Sequence, residues 1–252
     1  MLIPIGDEDR KHSGPAFVTI ALLLLNVGAF LYLGQNPEIA FSYSVVPYEI
    51  TAGEDLVNEV PIGEAVRDGE RIPHRPGPTP IYLTLITSMF LHGGWMHLLG
   101  NMLYLWIFGD NVEHRFGHLV FIGFYMVSGL AGSAVQIALS PESTVPILGA
   151  SGAISGILGA YLVLFPRNKV HAIFFVFVVS VPAAAAIGFW ILFQIARALE
   201  VVAAADTAVG GVAYGAHIGG FAAGVITAFI LRSVIKEEKP SRLTSAIRRD
   251  SG

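Results

Sequence analysis

The sequence predicts an all-α polytopic membrane protein, a bundle of six transmembrane helices. Three observations carry this. Hydrophobic residues make up 54% of the 252 residues and only 13% are charged, against about 25% charged in a typical soluble domain. Mean hydropathy is +0.64. The charges are also clumped: from Phe116 to Ala196 the only charged side chains are Glu142, Arg167 and Lys169. A soluble bundle needs a polar face on nearly every helix, so that class is excluded. A net charge of -4 without a basic stripe gives nucleic-acid binding no electrostatic footing. Cysteine is absent, which excludes disulfides, thiolate zinc sites and a cysteine nucleophile.

Apolar runs of about 20 residues are candidate spans. The first is Phe17–Leu33, after the charged head Asp7-Glu8-Asp9-Arg10-Lys11. A cleaved signal peptide is the alternative, but Gly34-Gln35-Asn36-Pro37 reads as a helix stop and no small-x-small site follows. The second covers Met96–Phe108, extended backward by Tyr82–Leu91. The third covers Leu119–Leu139 and the fourth Ser151–Phe165. The fifth, Ala172–Ala196, carries an expected kink at Pro182. The sixth is Val212–Leu231.

Basic residues set the orientation. Six spans place both termini on one side, with the 109–118 and 166–171 connections. That side holds Arg10, Lys11, Arg115, Arg167, Lys169, Arg232 and the five basic residues beyond it; the other holds Arg67, Arg71, Arg75 and Arg197. Both termini are therefore expected in the cytoplasm of a multi-pass cell-membrane protein. Residues 1–15 are then a cytoplasmic N-terminal segment, 16–232 the membrane domain and 233–252 a cytoplasmic tail. Residues 35–80 form a long extracytoplasmic loop, a length that is usually functional or disordered.

Polar groups inside a membrane are costly and mark function. Three clusters stand out: His92-Gly93-Gly94-Trp95-Met96-His97-Leu98-Leu99-Gly100-Asn101 at the start of span two, Gly149-Ala150-Ser151-Gly152 opening span four, and Ala216-His217-Ile218-Gly219-Gly220 early in span six. His97 and Asn101 share a helical face. Spans two, four and six all run inward, so the three clusters lie at similar depth below the extracytoplasmic surface. A serine and a histidine on neighbouring helices at one depth are the raw material of a nucleophile and its general base.

Each cluster alone has a plainer reading. Gly152 with Gly156 and Gly220 with Gly224 form small-xxx-small pairs that serve close packing. A lone histidine at a span end can simply satisfy a buried hydrogen bond, and Asn101 can bridge helices. Metal binding is disfavoured. There is no His-Glu-x-x-His, and His12, His74, His114, His118 and His171 fall in loops or at ends. No metal or other cofactor is called for.

His-x-x-x-x-His-x-x-x-Asn (His92 to Asn101), Gly-Ala-Ser-Gly (Gly149 to Gly152) and Ala-His-x-x-Gly-x-x-x-Gly (Ala216 to Gly224), in that order, resemble the rhomboid intramembrane serine proteases. Glu113-His114-Arg115 after Gly109-Asp110 resembles the family's Glu-x-Arg element, a packing feature. The likeness covers Ala16 to Arg232 and looks like the minimal six-span prokaryotic form. It implies Ser151 as nucleophile and His217 as base, with His92 and Asn101 stabilising the oxyanion beside the Ser151 backbone N–H. It further implies that His97 holds neighbouring polar groups and water, and that Gly149 and Gly152 admit the scissile bond. Gly220 would bring spans four and six together.

Two departures bear on that likeness. Rhomboids often carry an aromatic residue four positions after the serine, packed on the histidine; here it is Ser155. The first-loop Trp-Arg is replaced by Ile81-Tyr82-Leu83. No carboxylate is expected at the depth of the serine, since Glu142, Glu200 and Asp206 are read as loop residues. A Ser–His dyad is the expected device, under a cap formed by the loop before span four and the 197–211 loop. Expected substrates are single-span membrane proteins cut near their extracytoplasmic end, reaching the site through the bilayer past Pro182, Phe189 and Trp190. The rival reading is a catalytically silent relative that binds client transmembrane helices. A transporter is disfavoured, because the sequence has neither an internal repeat nor a charged midplane site.

Overall fold

Glycine faces on two helices set the centre of the molecule. The computed structural model describes residues 2–8, 14–33, 37–57, 60–61, 71–72, 74–203 and 212–235. Its long helices are α1 (Phe17–Leu33), α2 (Trp95–Phe116), α3 (His118–Leu139), α4 (Ser151–Leu164), α5 (Ala183–Ala203) and α6 (Tyr214–Val234). By length and composition α3, the Ala183–Val202 part of α5, and α6 can each cross a membrane; α1 and α4 are shorter apolar helices. Helix α4 is the core element, buried from Gly152 through Tyr161, and it packs on α6, α3 and α2.

Missing side chains let these helices meet backbone to backbone. A Cβ on Gly224 of α6 would stand 2.6 Å from the carbonyl carbon of Gly156 on α4, and one on Gly132 of α3 would stand 2.6 Å from the Ala216 carbonyl oxygen of α6. Larger side chains fill the rest of the core, with Tyr125, Tyr161, Phe108 and Phe121 all fully buried.

Several boundaries differ from the sequence expectation. The 81–90 segment does not extend α2. It forms short helical turns that end at extended Leu91, and α2 starts anew at Trp95 after Gly94. At its other end α2 continues to Phe116, so the expected 109–118 connection shrinks to Gly117 between α2 and α3. Glu113 is thus helical and fully buried. Its carboxylate accepts the backbone N–H groups of Val18 at 2.8 Å and Thr19 at 2.7 Å, satisfying orphan donors in the first turn of α1. Arg115 donates to the Ile235 carbonyl at 2.7 Å and the Arg232 carbonyl at 3.3 Å, serving the last turn of α6. Glu200 lies in α5 rather than in a loop, as do Arg197–Ala203, the first part of the expected 197–211 loop. Asp206 lies outside the described residues.

The largest correction concerns span five. Residues 172–182 are not a kinked helix but most of a β-hairpin. Strands β2 (Lys169–Phe174) and β3 (Phe177–Pro182) pair antiparallel, and β1 (Leu2–Asp7) adds to β2 with Asp7 opposite Val170. The hairpin strands are rich in Val and Ile, side chains that fit a pleated surface better than a helix. Pro182 sits at the end of edge strand β3, where its missing N–H costs nothing, and α5 starts with the next residue. The asparagine and tyrosine at Asn111 and Tyr161 both donate to the Asp7 carboxylate, tying β1 to α2 and α4.

The long first loop is fastened to the segment that leads into α4. Val45 and Ile147 exchange both backbone hydrogen bonds, at 3.0 and 2.8 Å, and the Tyr48 N–H donates to the Ser143 carbonyl at 3.0 Å. These backbone hydrogen bonds anchor the first loop, which lacks the Trp-Arg pair that Ile81-Tyr82-Leu83 replaces.

Candidate active site

Ser151 is the first residue of α4, so its backbone N–H has no partner within the helix. His217 lies one turn into α6. The glycine packing of these helices brings His217 Nε2 to 2.9 Å from Ser151 Oγ. Both residues are half-buried, which leaves the pair reachable.

The other side of the imidazole is held by α5. His217 Nδ1 lies 2.8 Å from Oε1 of Gln194, a buried residue. The Trp190 ring, one turn earlier, lies against the imidazole at 5.9 Å between centroids, tilted by 36°. Tyr214 meets it edge-on at 6.3 Å. Ser155, where an aromatic support might stand, instead donates to the Ser151 carbonyl at 2.6 Å.

A second group flanks the serine through Gly149. That glycine has φ +130, a conformation that L side chains rarely adopt, and its N–H donates to the Ser88 carbonyl at 2.9 Å. A Cβ there would stand 2.7 Å from His97 Nε2 and 3.7 Å from Asn101 Nδ2. The Gly93 N–H points at His97 Nδ1, at 3.5 Å, and the His92 ring meets the His97 ring edge-on at 5.1 Å. His92 and Asn101 are buried. Both ring nitrogens of His92, and Nδ2 of Asn101, have no partner among the described residues. Unpaired buried polar atoms are rare; here Asn101 stands beside the Gly149 backbone that precedes Ser151, and His92 stands behind His97.

The structure thus gathers Ser151 with His217, and Gly149 with His97, Asn101 and, through His97, His92. Glu113 and Arg115 belong to the opposite end of α2. Sequence reasoning missed Gln194 and Tyr214, and it read Trp190 only as part of a lateral path. Gln194 did carry a signal: it is the polar residue in the run Phe189-Trp190-Ile191-Leu192-Phe193-Gln194-Ile195, and a buried amide needs a partner.

A family model for the rhomboid domain matches residues 80–234. The chain is 35% identical over 170 residues to Rhomboid protein 1, mitochondrial, of Saccharomyces cerevisiae, covering 65% of this chain and 46% of that protein. It is 41% identical over 85 residues to Rhomboid protease GluP of Bacillus subtilis, covering 34% and 16%. It is 37% identical over 157 residues to Rhomboid-like protease 5 of Toxoplasma gondii, covering 60% and 16%. The matched part is less than half the length of each of these relatives.

Proposed function

The chain belongs to the rhomboid family of multi-pass membrane proteins, and from that premise we propose that it is an intramembrane serine endopeptidase acting through Ser151 and His217. The observation that carries the reading is the 2.9 Å approach of His217 Nε2 to Ser151 Oγ. Serine is a weak nucleophile until a positioned base takes its proton. Ser151 Oγ attacks the scissile carbonyl carbon as its proton passes to His217 Nε2. The tetrahedral oxyanion is met by the Ser151 N–H, His92 and Asn101, and the imidazolium protonates the departing amine as the C–N bond breaks. Water then repeats the sequence on the acyl-enzyme, with His217 again as base, and frees Ser151.

The substrate class follows from backbone chemistry. A transmembrane helix shields its carbonyls in internal hydrogen bonds, so a substrate must unwind locally to reach Ser151. Single-span proteins with Gly or Pro near one membrane face meet that demand, and the backbone walls at Gly149 and Gly152 favour a small residue before the cut. We place the membrane domain at residues 16–232, six-spanning, with both termini cytoplasmic and the site opening outward, on the distribution of Lys and Arg.

Fluorophosphonate labelling of the protein in detergent, alongside cleavage of a model transmembrane substrate in liposomes, tests the reading. Both activities should be present in the native chain and vanish in Ser151→Ala, with His217→Ala nearly as inactive. A folded native chain that neither labels nor cleaves would instead be a silent binder of client helices, and cleavage by Ser151→Ala would assign the chemistry elsewhere.

A further inference from the structure

We propose that Gln194 is a positioning residue for the histidine. Its amide oxygen accepts the Nδ1–H of His217, leaving Nε2 unprotonated and aimed at Ser151 Oγ. The inference rests on the serine-protease reading of the site.

The role assignment follows from the inventory of donors and acceptors. An amide oxygen can only accept, so the ring nitrogen 2.8 Å from Gln194 Oε1 must carry the proton. A neutral imidazole with hydrogen on Nδ1 has its lone pair on Nε2, the nitrogen 2.9 Å from the serine hydroxyl. The opposite tautomer would donate to Ser151 and leave no base. In a Ser-His-Asp triad a carboxylate performs this selection. Gln194 does it without a buried charge, at a site where an ionised carboxylate would be expensive to desolvate.

The same contact makes the seating of α5 part of the site. Gln194 and Trp190 lie one turn apart on α5, and both bear on His217. Yet α5 buries the smallest share of its length among the three long apolar helices. Much of its outer face is exposed, including Phe189, Leu192 and Phe193. A histidine on the closely packed α4–α6 pair is thus aligned by the least buried of the three long apolar helices. A displacement of α5 would therefore remove the orienting acceptor and the ring support together.

Gln194→Met and Gln194→Glu separate this role from a structural one. Methionine has nearly the length of glutamine and no acceptor oxygen; glutamate keeps the oxygen at the same reach. We expect Gln194→Met to lose roughly 10–100-fold in kcat and in fluorophosphonate labelling rate, with KM within about twofold, and Gln194→Glu to recover most of that loss. A purely structural glutamine gives the reverse order, because apolar methionine suits a buried site and a charged glutamate does not. Thermal unfolding of each variant normalises the rates to folded protein. Gln194→Met with native kcat, or Gln194→Glu slower than Gln194→Met, overturns the proposal while Ser151-dependent labelling of the native chain stands. Absence of that labelling overturns the protease reading itself, and this inference with it.

Discussion

Gly220 and Gly152 pass each other backbone to backbone: a Cβ built on Gly220 would overlap the Gly152 carbonyl oxygen and stand 2.8 Å from its carbonyl carbon. The next residues along each helix toward the site are His217, one turn before Gly220, and Ser151, immediately before Gly152. The contact that sets the spacing of α4 and α6 therefore also sets the distance between Ser151 and His217.

Gly220→Ala is expected to be nearly as damaging as Gly220→Val, because the first carbon added already meets backbone that cannot rotate away. A displacement of roughly 1 Å in reacting groups can cost ~100-fold in rate. Turnover should fall by about that factor, with a clear drop in thermal stability. Gly123→Ala on α3 is the control, since nothing lies within 4 Å of its added carbon. It should leave turnover unchanged and stabilise slightly through helix propensity. A fully active Gly220→Ala chain would mean that α4 and α6 do not meet here.

His92→Ala and Asn101→Ala should separate activity from stability. No hydrogen bond of good geometry reaches the ring nitrogens of His92 or Nδ2 of Asn101 among the described residues, so their removal costs little hydrogen bonding in the resting protein. Loss of one oxyanion donor typically costs about 10²–10³ in kcat. That loss should appear in kcat with KM little changed and a melting temperature close to native. A large fall in melting temperature with modest kinetic change would make these residues structural instead.

Glu49 gives the first loop a pH signature. It sits in the short helix Pro47–Ala52, and burial, aided by nearby Asp55, pushes its carboxyl up to about 7 despite the Leu56 N–H that donates to it. Between its ordinary value near 4.5 and about 7, folded protein holds a proton that unfolded protein releases, so this group makes stability fall as pH rises through that window. His74 in the same loop has its pKa lowered by burial and acts in the opposite sense. Comparing native protein with Glu49→Gln in one series of melts from pH 4.5 to 8 isolates the glutamate. The advantage of Glu49→Gln over native should grow up to about pH 7 and then level off. A difference that is flat with pH would mean that Glu49 is ionised in the folded loop throughout.

What the sequence revealed and what it hid have separate physical causes. The meeting of Ser151 and His217 was legible because both interrupt apolar runs with groups that are costly in a membrane, flanked by glycines that permit close approach of the helices. The β-hairpin was hidden because hydropathy cannot tell an apolar strand from an apolar helix. The β-branched run ending in Pro182 was the signal that composition alone did not weigh. The histidine's support was hidden for another reason. A search for a buried carboxylate passes over Gln194, although an amide oxygen makes the same hydrogen bond without the charge. Trp190 does its work from a helix far from Ser155 in sequence, and that exchange between helices is not visible along a single span.

The orientation can be tested on the described surface. Glu54 in the first loop and Arg167 after α4 are both exposed, and the chain has no native cysteine. In whole cells, Glu54→Cys should react with an impermeant maleimide added outside, and Arg167→Cys only after the membrane is opened. The consequence for the site is geometric. Helix α4 has 14 residues, so at about 1.5 Å per residue it is ~21 Å long, short of the ~30 Å hydrocarbon core. If Arg167 marks the inner surface, Ser151 at the far end of α4 stops ~10 Å below the outer one. Water must then enter from outside, and substrates should be cut near their outer end. The reverse labelling pattern would put the same ~10 Å on the cytoplasmic side, and the cut sites sought in substrates would move with it.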